Sequence, residues 1–271
     1  SWRRRGPRNI EIRLPRHTGV LVVLMARDIA RSLDPVLFAR DCGIEPDPWQ
    51  QELLRDRPRK ALLCCSRQSG KTTTTAVVAL ETACHVPDSL VLIGAPAQRQ
   101  SGEMLRKVRD LHGRLDGAPE LPGDSVLKLE FSNGSRILAL PGDAKTIRGL
   151  SAPALVIVDE AAFADDDLIQ ALRPMLAVSN GQLIALSTPN GKRGWFYEQW
   201  HSGDESWRRF RVPATDCPRI SKEFLAEQLR ELGPTRYSQE YELAFVDSED
   251  SAFSTTIIDS IFTNEVCPLW T

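Results

Sequence analysis

The sequence carries no excess of either charge, no apolar run long enough for a bilayer, and no cysteine or histidine spacing that would build a metal centre. Each absence removes a class of protein. A formal net charge of −2 excludes a global basic field for polyanions. The apolar stretch Gly19–Ala26 is far short of the about 20 residues that a spanning helix needs. It passes directly into amphipathic Arg27–Arg31, with no signal-peptide cleavage context. A soluble protein with no membrane partner is expected. Six cysteines are present, but Cys64 and Cys65 are adjacent, no C-x-x-C pair occurs, and His17, His85, His112 and His201 are scattered. This usage fits reduced thiols in a cytosolic compartment rather than a zinc site or a disulfide framework. No internal repeat or long low-complexity tract appears. What remains is an ordinary globular composition, long enough for one large domain or a domain with an appendage.

Charge is uneven locally. The first sixteen residues carry Arg3, Arg4, Arg5, Arg8, Arg13 and Arg16 against one acid, Glu11. Such an arm can touch phosphates, and a solvated terminus is the alternative. Asp34-Pro35 starts a short helix to about Cys42, and Trp49–Leu54 starts another after the break at Pro46–Pro48. Ala61–Cys65, Ser89–Ala95, Ala154–Val158 and Gln182–Leu186 read as buried strands. Gln98–Leu115 has helical periodicity. Leu127–Phe131 and Arg136–Leu140 flank Asn133-Gly134, a strong hairpin signal. This alternation predicts a mostly parallel, twisted α/β sheet flanked by helices, with one hairpin. Beyond Asn190 come Trp195, Phe196, Tyr197, Trp200 and Trp207. A helix capped by Ser221 then runs to Gly233-Pro234 and a second one continues to about Phe245, which together read as a small lid.

Three strand ends carry the candidate chemistry. Cys65–Thr72 fits the phosphate-loop template except that Cys65 replaces the first glycine. In such a loop the N–H groups of Ser66, Arg67, Gln68, Ser69, Gly70 and the following Thr72 and Thr73 cradle phosphates. Lys71 supplies a charge to the β/γ oxygens and the Thr72 hydroxyl ligates Mg²⁺. A helix over Thr72–Cys84 is expected despite its β-branched residues, because a bound triphosphate would stabilise its start. Leu155–Glu160 is an apolar strand ending in two carboxylates. Asp159 there could hold Mg²⁺ and Glu160 could polarise an attacking water; the alternative is a strand running into a solvated acidic loop with Asp165-Asp166-Asp167. Ser187 and Thr188 offer hydroxyls at the third strand end, or simply a polar terminus before Pro189-Asn190-Gly191.

The arginine-bearing loop Ser66–Thr72 resembles that of the large terminase subunits of tailed bacteriophages and herpesviruses. So does the order of Trp49-Gln50, Ile147-Arg148-Gly149, Asp159-Glu160-Ala161-Ala162, Ser187-Thr188-Pro189 leading into Gly194–Tyr197, and closing Glu240-Tyr241. The resemblance covers about Leu33 to Phe253. It implies a P-loop NTPase of the additional-strand, catalytic-glutamate type, the N-terminal ATPase domain of a genome-packaging motor that uses ATP and Mg²⁺. It further implies double-stranded DNA, a portal protein, a small terminase subunit and a homo-oligomeric ring as partners, in the cytoplasm of an infected host cell. By position, Trp49 and Gln50 would contact adenine and Arg67 would sense the γ-phosphate. Ser187 and Thr188 would couple hydrolysis to the lid, and Arg148 would reach a nucleotide, its own or a neighbour's. The expected divisions are a basic arm and lead-in at 1–32, the ATPase core at 33–200 and a lid at 201–253. A linker at 254–271 would run toward a nuclease domain, so no nuclease activity is expected of this chain. With so small a net charge, one copy should hold duplex weakly and lose it as salt rises, through the arm and residues after Gln98. A superfamily-2 helicase or translocase, which needs a second ATPase-like domain, and a non-enzymatic ATP-binding docking module remain as alternatives.

Overall fold

The apolar runs form the centre of a single sheet in this computed structural model, which describes residues 18–140, 150 and 152–246. The strands are β1 (Lys60–Cys65), β2 (Leu90–Gly94), β3 (Gly123–Ser125), β4 (Lys128–Glu130), β5 (Arg136–Ala139), β6 (Leu155–Asp159), β7 (Gln182–Ser187) and β8 (Arg208–Val212). Their order is β3-β4-β5-β2-β6-β7-β1-β8. From β5 to β8 every neighbouring pair is parallel, and only β3-β4-β5 is antiparallel. The expected hairpin is therefore the antiparallel margin of the sheet. Its turn puts Gly134 at φ +84, where a Cβ would overlap the Asp88 carboxylate. Strands β2 and β6 are buried along their whole length, as parallel strands covered on both faces must be. Strand β7 lies between β1 and β6, which is the additional-strand arrangement.

Alternate residues of each strand feed two cores. One face, with Leu63, Ile93 and Ile157, packs on α2 (Pro35–Asp41), α3 (Pro48–Asp56), α4 (Lys71–His85) and α5 (Gln98–His112). The other, with Leu62, Leu92 and Val158, packs on α6 (Asp166–Ser179) and α7 (Gly194–His201). Helix α4 forms against its intrinsic propensity. Thr74, Thr75 and Thr82 pair their hydroxyls with helix carbonyls one turn back, which satisfies the hydroxyls but does not favour the helix. Val77, Ala79 and Leu80 are buried against the sheet. Packing outweighs propensity here.

Five features depart from the sequence reading. The lead-in is α1 (Thr18–Leu33), held by Arg27 and Arg31 on Asp41 and by Arg31 on the Asp116 carbonyl. Helix α6 occupies the acidic stretch: Asp166 and Asp167 sit in its first turn, where its dipole favours carboxylates. Its Leu168, Ile169, Leu172 and Leu176 are buried, although Pro174 lies inside it. The tryptophans assigned to a lid are core: Trp195 meets Trp207 edge-on at 5.6 Å and both belong to the second cluster. Strand β8 falls within 201–253 yet pairs along β1, so the sheet continues past the expected boundary at 200. Helix α8 (Lys222–Glu240) follows, with Ser221 accepting the Phe224 N–H at its start. It breaks at Gly233 (φ 73, ψ 166) and ends at Glu240, short of Phe245. The basic arm, Ile147-Arg148-Gly149 and the linker expected at 254–271 lie outside the described residues.

Two glycines with opposite surroundings check this packing. A Cβ on Gly181, at the entry to β7, would overlap the Pro153 carbonyl oxygen and stand 3.0 Å from that of Ala154. Gly181→Ala should destabilise by roughly 1–3 kcal/mol. A Cβ on Gly102, inside α5, meets only Leu127 at 3.9 Å. Gly102→Ala should stabilise by about 0.5–1 kcal/mol. Urea midpoints measure both; an unchanged midpoint for Gly181→Ala contradicts the close approach.

Candidate active site

The register of β1, β7 and β6 brings their C-terminal ends to one edge. Cys64 stands opposite Ser187, and Asp159 opposite Leu186. The loop that leaves β1 there holds Gln68 at φ 61 and Gly70 at φ 88 before α4 begins at Lys71. Gly70 is required twice over, since its φ is left-handed and a Cβ would come within 2.7 Å of Gln50 Nε2. The first N–H groups of α4 have no acceptor within the helix, and its dipole adds positive potential at this end.

Opposing charges meet across the edge. Lys71 Nζ lies 3.4 Å from Glu160 Oε1. The Thr72 hydroxyl donates to Asp159 Oδ2 at 3.4 Å, and the Glu160 N–H donates to Asp159 Oδ1 at 3.0 Å. The Ser187 hydroxyl donates to Glu160 Oε2 at 3.3 Å. Glu160 itself has left-handed backbone angles (φ 51, ψ 45), which for a side chain other than glycine costs on the order of 1–3 kcal/mol. That turn folds the chain back after β6 so that adjacent carboxylates both serve the edge. Burial, with Glu160's charge second, raises the Asp159 carboxyl from 3.8 to about 6, against the lowering effect of Lys71.

Arg67, Gln68, Lys71, Glu160 and Thr188 line a cleft of about 520 Å³, joined by Gln100 of α5 and Phe163. Arg67 does not stand free in it. Its guanidinium donates to both Glu240 carboxylate oxygens at 2.7 and 3.1 Å, and its N–H to the Glu240 carbonyl at 3.3 Å. Ser66 faces away: it is fully buried, its N–H donates to Val212 and its hydroxyl sits 4.0 Å from Cys217 Sγ. The Ser69 hydroxyl closes the loop on the Ser66 carbonyl at 2.8 Å. The N–H groups of Ser66 and Arg67 are thus already engaged, and Thr73 stands in the first turn of α4. Trp49 and Gln50 are not among the residues lining this cleft; they stand in the first turn of α3, with Gln50 Nε2 toward Gly70. Trp49 Nε1 is buried with no acceptor among the described residues.

A nucleoside triphosphate with Mg²⁺ fits this donor set. Thr72 and Asp159 present paired oxygens suited to a hard cation, Lys71 and the helix terminus face an anion, and Trp49 keeps an unused donor. Gln100, Phe163 and Arg219 are contributions that the sequence did not reveal. Arg219 bonds residues 172 and 150 positions away, a separation at which no local pattern exists to read.

A mostly parallel sheet with this strand order, a lysine-bearing loop after β1 and paired carboxylates at the end of β6 define a P-loop NTPase of the additional-strand class. The comparisons narrow the class. The family model described as terminase large subunit, T4likevirus-type, N-terminal, matches residues 62–260, and the chain belongs to that family. The large terminase subunit of Thermus virus P23-45 is 26% identical over 250 residues, covering 78% of this chain and 51% of the relative. The chain thus spans about half the length of the curated relatives it matches. Among solved structures, the Thermus phage P74-26 large terminase ATPase domain superposes with a TM-score of 0.66 at 25% identity, over 77% of this chain and 97% of that one. The HK97 bacteriophage large terminase gives 0.62 at 20% identity, over 74% and 50%.

The buried carboxylate makes a pH-dependent prediction for metal-free, nucleotide-free protein. A pKa raised on folding favours the native state below the unfolded value of 3.8, and this benefit is lost as pH rises through about 6. Ionised Asp159 then costs roughly 3 kcal/mol. Asp159→Asn should therefore be more stable than the parent at pH 8, with the advantage disappearing toward pH 4. Urea titrations at both pH values measure it; a pH-independent difference contradicts the assignment.

Proposed function

We propose that this chain is the ATP-hydrolysing part of a large terminase, converting ATP to ADP and phosphate to drive double-stranded DNA into a procapsid. The observation that carries the reading is the convergence of Lys71, Thr72, Asp159, Glu160 and Ser187 within 3.4 Å contacts at one sheet edge, beside a loop of the phosphate-binding type. The large terminase of a thermophilic bacteriophage, which shares the fold with a TM-score of 0.60 at 13% identity, has been solved in complex with ADP.

In this reading Thr72 and Asp159 would hold Mg²⁺. When bound there, the cation would supply charge neutralisation to the phosphates. Lys71 and the loop N–H groups through Thr73 hold those oxygens while charge moves onto the departing ADP. Glu160 aligns the water that attacks the γ-phosphorus and draws its proton, as the bond to the β-phosphate oxygen breaks. Lys71 leaves Glu160 when it turns to phosphate, which frees the carboxylate for water. Ser187 reports the state of Glu160 to the rest of β7, and Thr188 contacts the γ-phosphate side of the cleft. Arg67, already tied to Glu240 at the end of α8, senses the γ-phosphate and links it to the lid. Trp49 and Gln50 take the base.

The partners follow from the family role: a portal protein, a small terminase subunit and further copies of this chain in a ring, working in the host cytoplasm. Among the described residues no helix is long and apolar enough to cross a membrane. Helix α5 exposes Arg99, Arg106 and Lys107, and with the basic arm these form the contact to duplex. Such contacts are salt-sensitive.

Glu160→Gln should keep ATP affinity while phosphate release falls by roughly two to four orders of magnitude. Turnover at the parent rate would remove Glu160 from the role of base. Arg148 acts in trans on a neighbour's γ-phosphate, where such a finger is worth about 10³–10⁵ in turnover. Arg148→Ala should bind ATP and hydrolyse it poorly, and mixing it with Glu160→Gln should restore activity at interfaces that retain both groups. Absence of rescue, with parent activity independent of protein concentration, contradicts the trans assignment.

A further inference from the structure

Arg219 lies in the short connection between β8 and α8, and its guanidinium joins three distant segments. Nη1 donates to Asp47 Oδ1 at 2.8 Å, and Nη2 lies 2.7 Å from Asp47 Oδ2. The same Nη2 donates to the Ser69 carbonyl at 3.2 Å, inside the phosphate loop. It would stand 3.3 Å from a Cβ on Gly70. Asp47 is the residue that opens α3, and its N–H donates to Gln50 Oε1 at 2.7 Å. That bond leaves the Gln50 amide nitrogen turned toward Gly70. Trp49, beside it, holds a buried indole donor with no acceptor among the described residues.

This geometry has a chemical consequence for a nucleotide site, and the inference rests on the ATP reading above. A nucleoside triphosphate has fixed reach between base and β-phosphate. The side chains that read the base, on α3, and the loop that holds the phosphates, before α4, must keep a matching separation. Among the described residues no backbone hydrogen bond joins segments 47–50 and 69–70; Arg219 spans them instead. A planar fork with several fixed donors can hold a carboxylate with one side and a carbonyl with the other, whereas lysine cannot do both in one orientation. We propose that Arg219 is a positioning residue that sets the spacing between the phosphate loop and the base-reading residues Trp49 and Gln50, and through it base preference.

Arg219 has half its side chain exposed, but Asp47 only a tenth, so Arg219→Ala leaves a buried carboxylate without its partner and costs some stability. A thermal melt checks that the fold survives at the titration temperature, and Asp47→Asn, which removes that charge, separates lost stability from lost positioning. The experiment is calorimetric titration of the full chain with Mg²⁺-ATP, Mg²⁺-GTP and Mg²⁺-tripolyphosphate, the last engaging only the phosphate loop. For Arg219→Ala the expected result is ATP affinity weakened by about 10- to 100-fold, the effect of a base-reading group displaced by about an ångström. The ATP-to-GTP affinity ratio should fall toward one. Tripolyphosphate affinity should stay within about threefold of the parent, because the loop keeps its own contacts. Arg219→Lys should lose the base preference too, and added guanidinium ion should restore part of it to Arg219→Ala. Asp47→Asn should reproduce the loss, and the double variant should be no weaker than either single one. Equal weakening of ATP and tripolyphosphate, or an unchanged ATP-to-GTP ratio, overturns the proposal. If the unmodified chain binds neither nucleotide nor tripolyphosphate, the ATP reading itself fails, a result distinguishable from failure of Arg219's role.

Discussion

The parallel register of β1, β7 and β6 is the constraint on which the site depends. Because Cys64 faces Ser187 and Leu186 faces Asp159, three chain segments far apart in sequence leave the sheet at one edge within a few ångströms. A slip of one residue in this pairing would turn Asp159 to the opposite face and bury Val158's neighbours in its place. The two cores enforce the register, since each strand presents alternate apolar residues to different helical layers. The edge is thus fixed by burial that has no chemical role, and the chemistry is carried by the residues just beyond it.

Those residues are held in an unfavourable arrangement. Asp159 is nearly enclosed and resists ionisation, Glu160 occupies left-handed backbone space, and Lys71 is buried against it. Taken alone, each lowers stability. Together they place charges where water does not screen them and where a polyphosphate and a divalent cation would balance them. Helix α8 is tied to the same loop at both of its ends. Arg219, just before α8, holds the Ser69 carbonyl, and Glu240, at its end, holds Arg67. Displacement of the loop is therefore felt at both ends of the helix.

The sheet and the site were legible to different degrees. Strands β1, β2, β6 and β7 stood out because burial on both faces leaves uninterrupted apolar runs, and Asn133-Gly134 announced the hairpin. The convergence of Lys71, Thr72, Asp159 and Glu160 at one edge was legible because a loop of the phosphate-binding type and a carboxylate strand end are local patterns, and the resemblance to terminases supplied their order. Helix α6 was hidden by Pro174 and three aspartates, although its buried leucines keep a helical spacing. Strand β8 has three arginines in Arg208–Val212 and no uninterrupted apolar run, as suits a strand at the edge of the sheet. The tryptophans at 195 and 207 resembled a separate subdomain only because their partner, the second face of the sheet, is distant in sequence. Arg219 could not be read at all, since its meaning resides in Asp47 and Ser69.

If the edge is a hydrolytic nucleotide site, phosphate release from ATP should be saturable, should require Mg²⁺ and should rise per subunit as protein concentration is increased. Steady-state release of inorganic phosphate, followed with and without Mg²⁺ across a wide range of protein concentrations, tests this most directly. The account predicts Mg²⁺-dependent turnover that steepens as copies assemble. Release indistinguishable from protein-free buffer at every concentration, including that of the assembled chain, would contradict it.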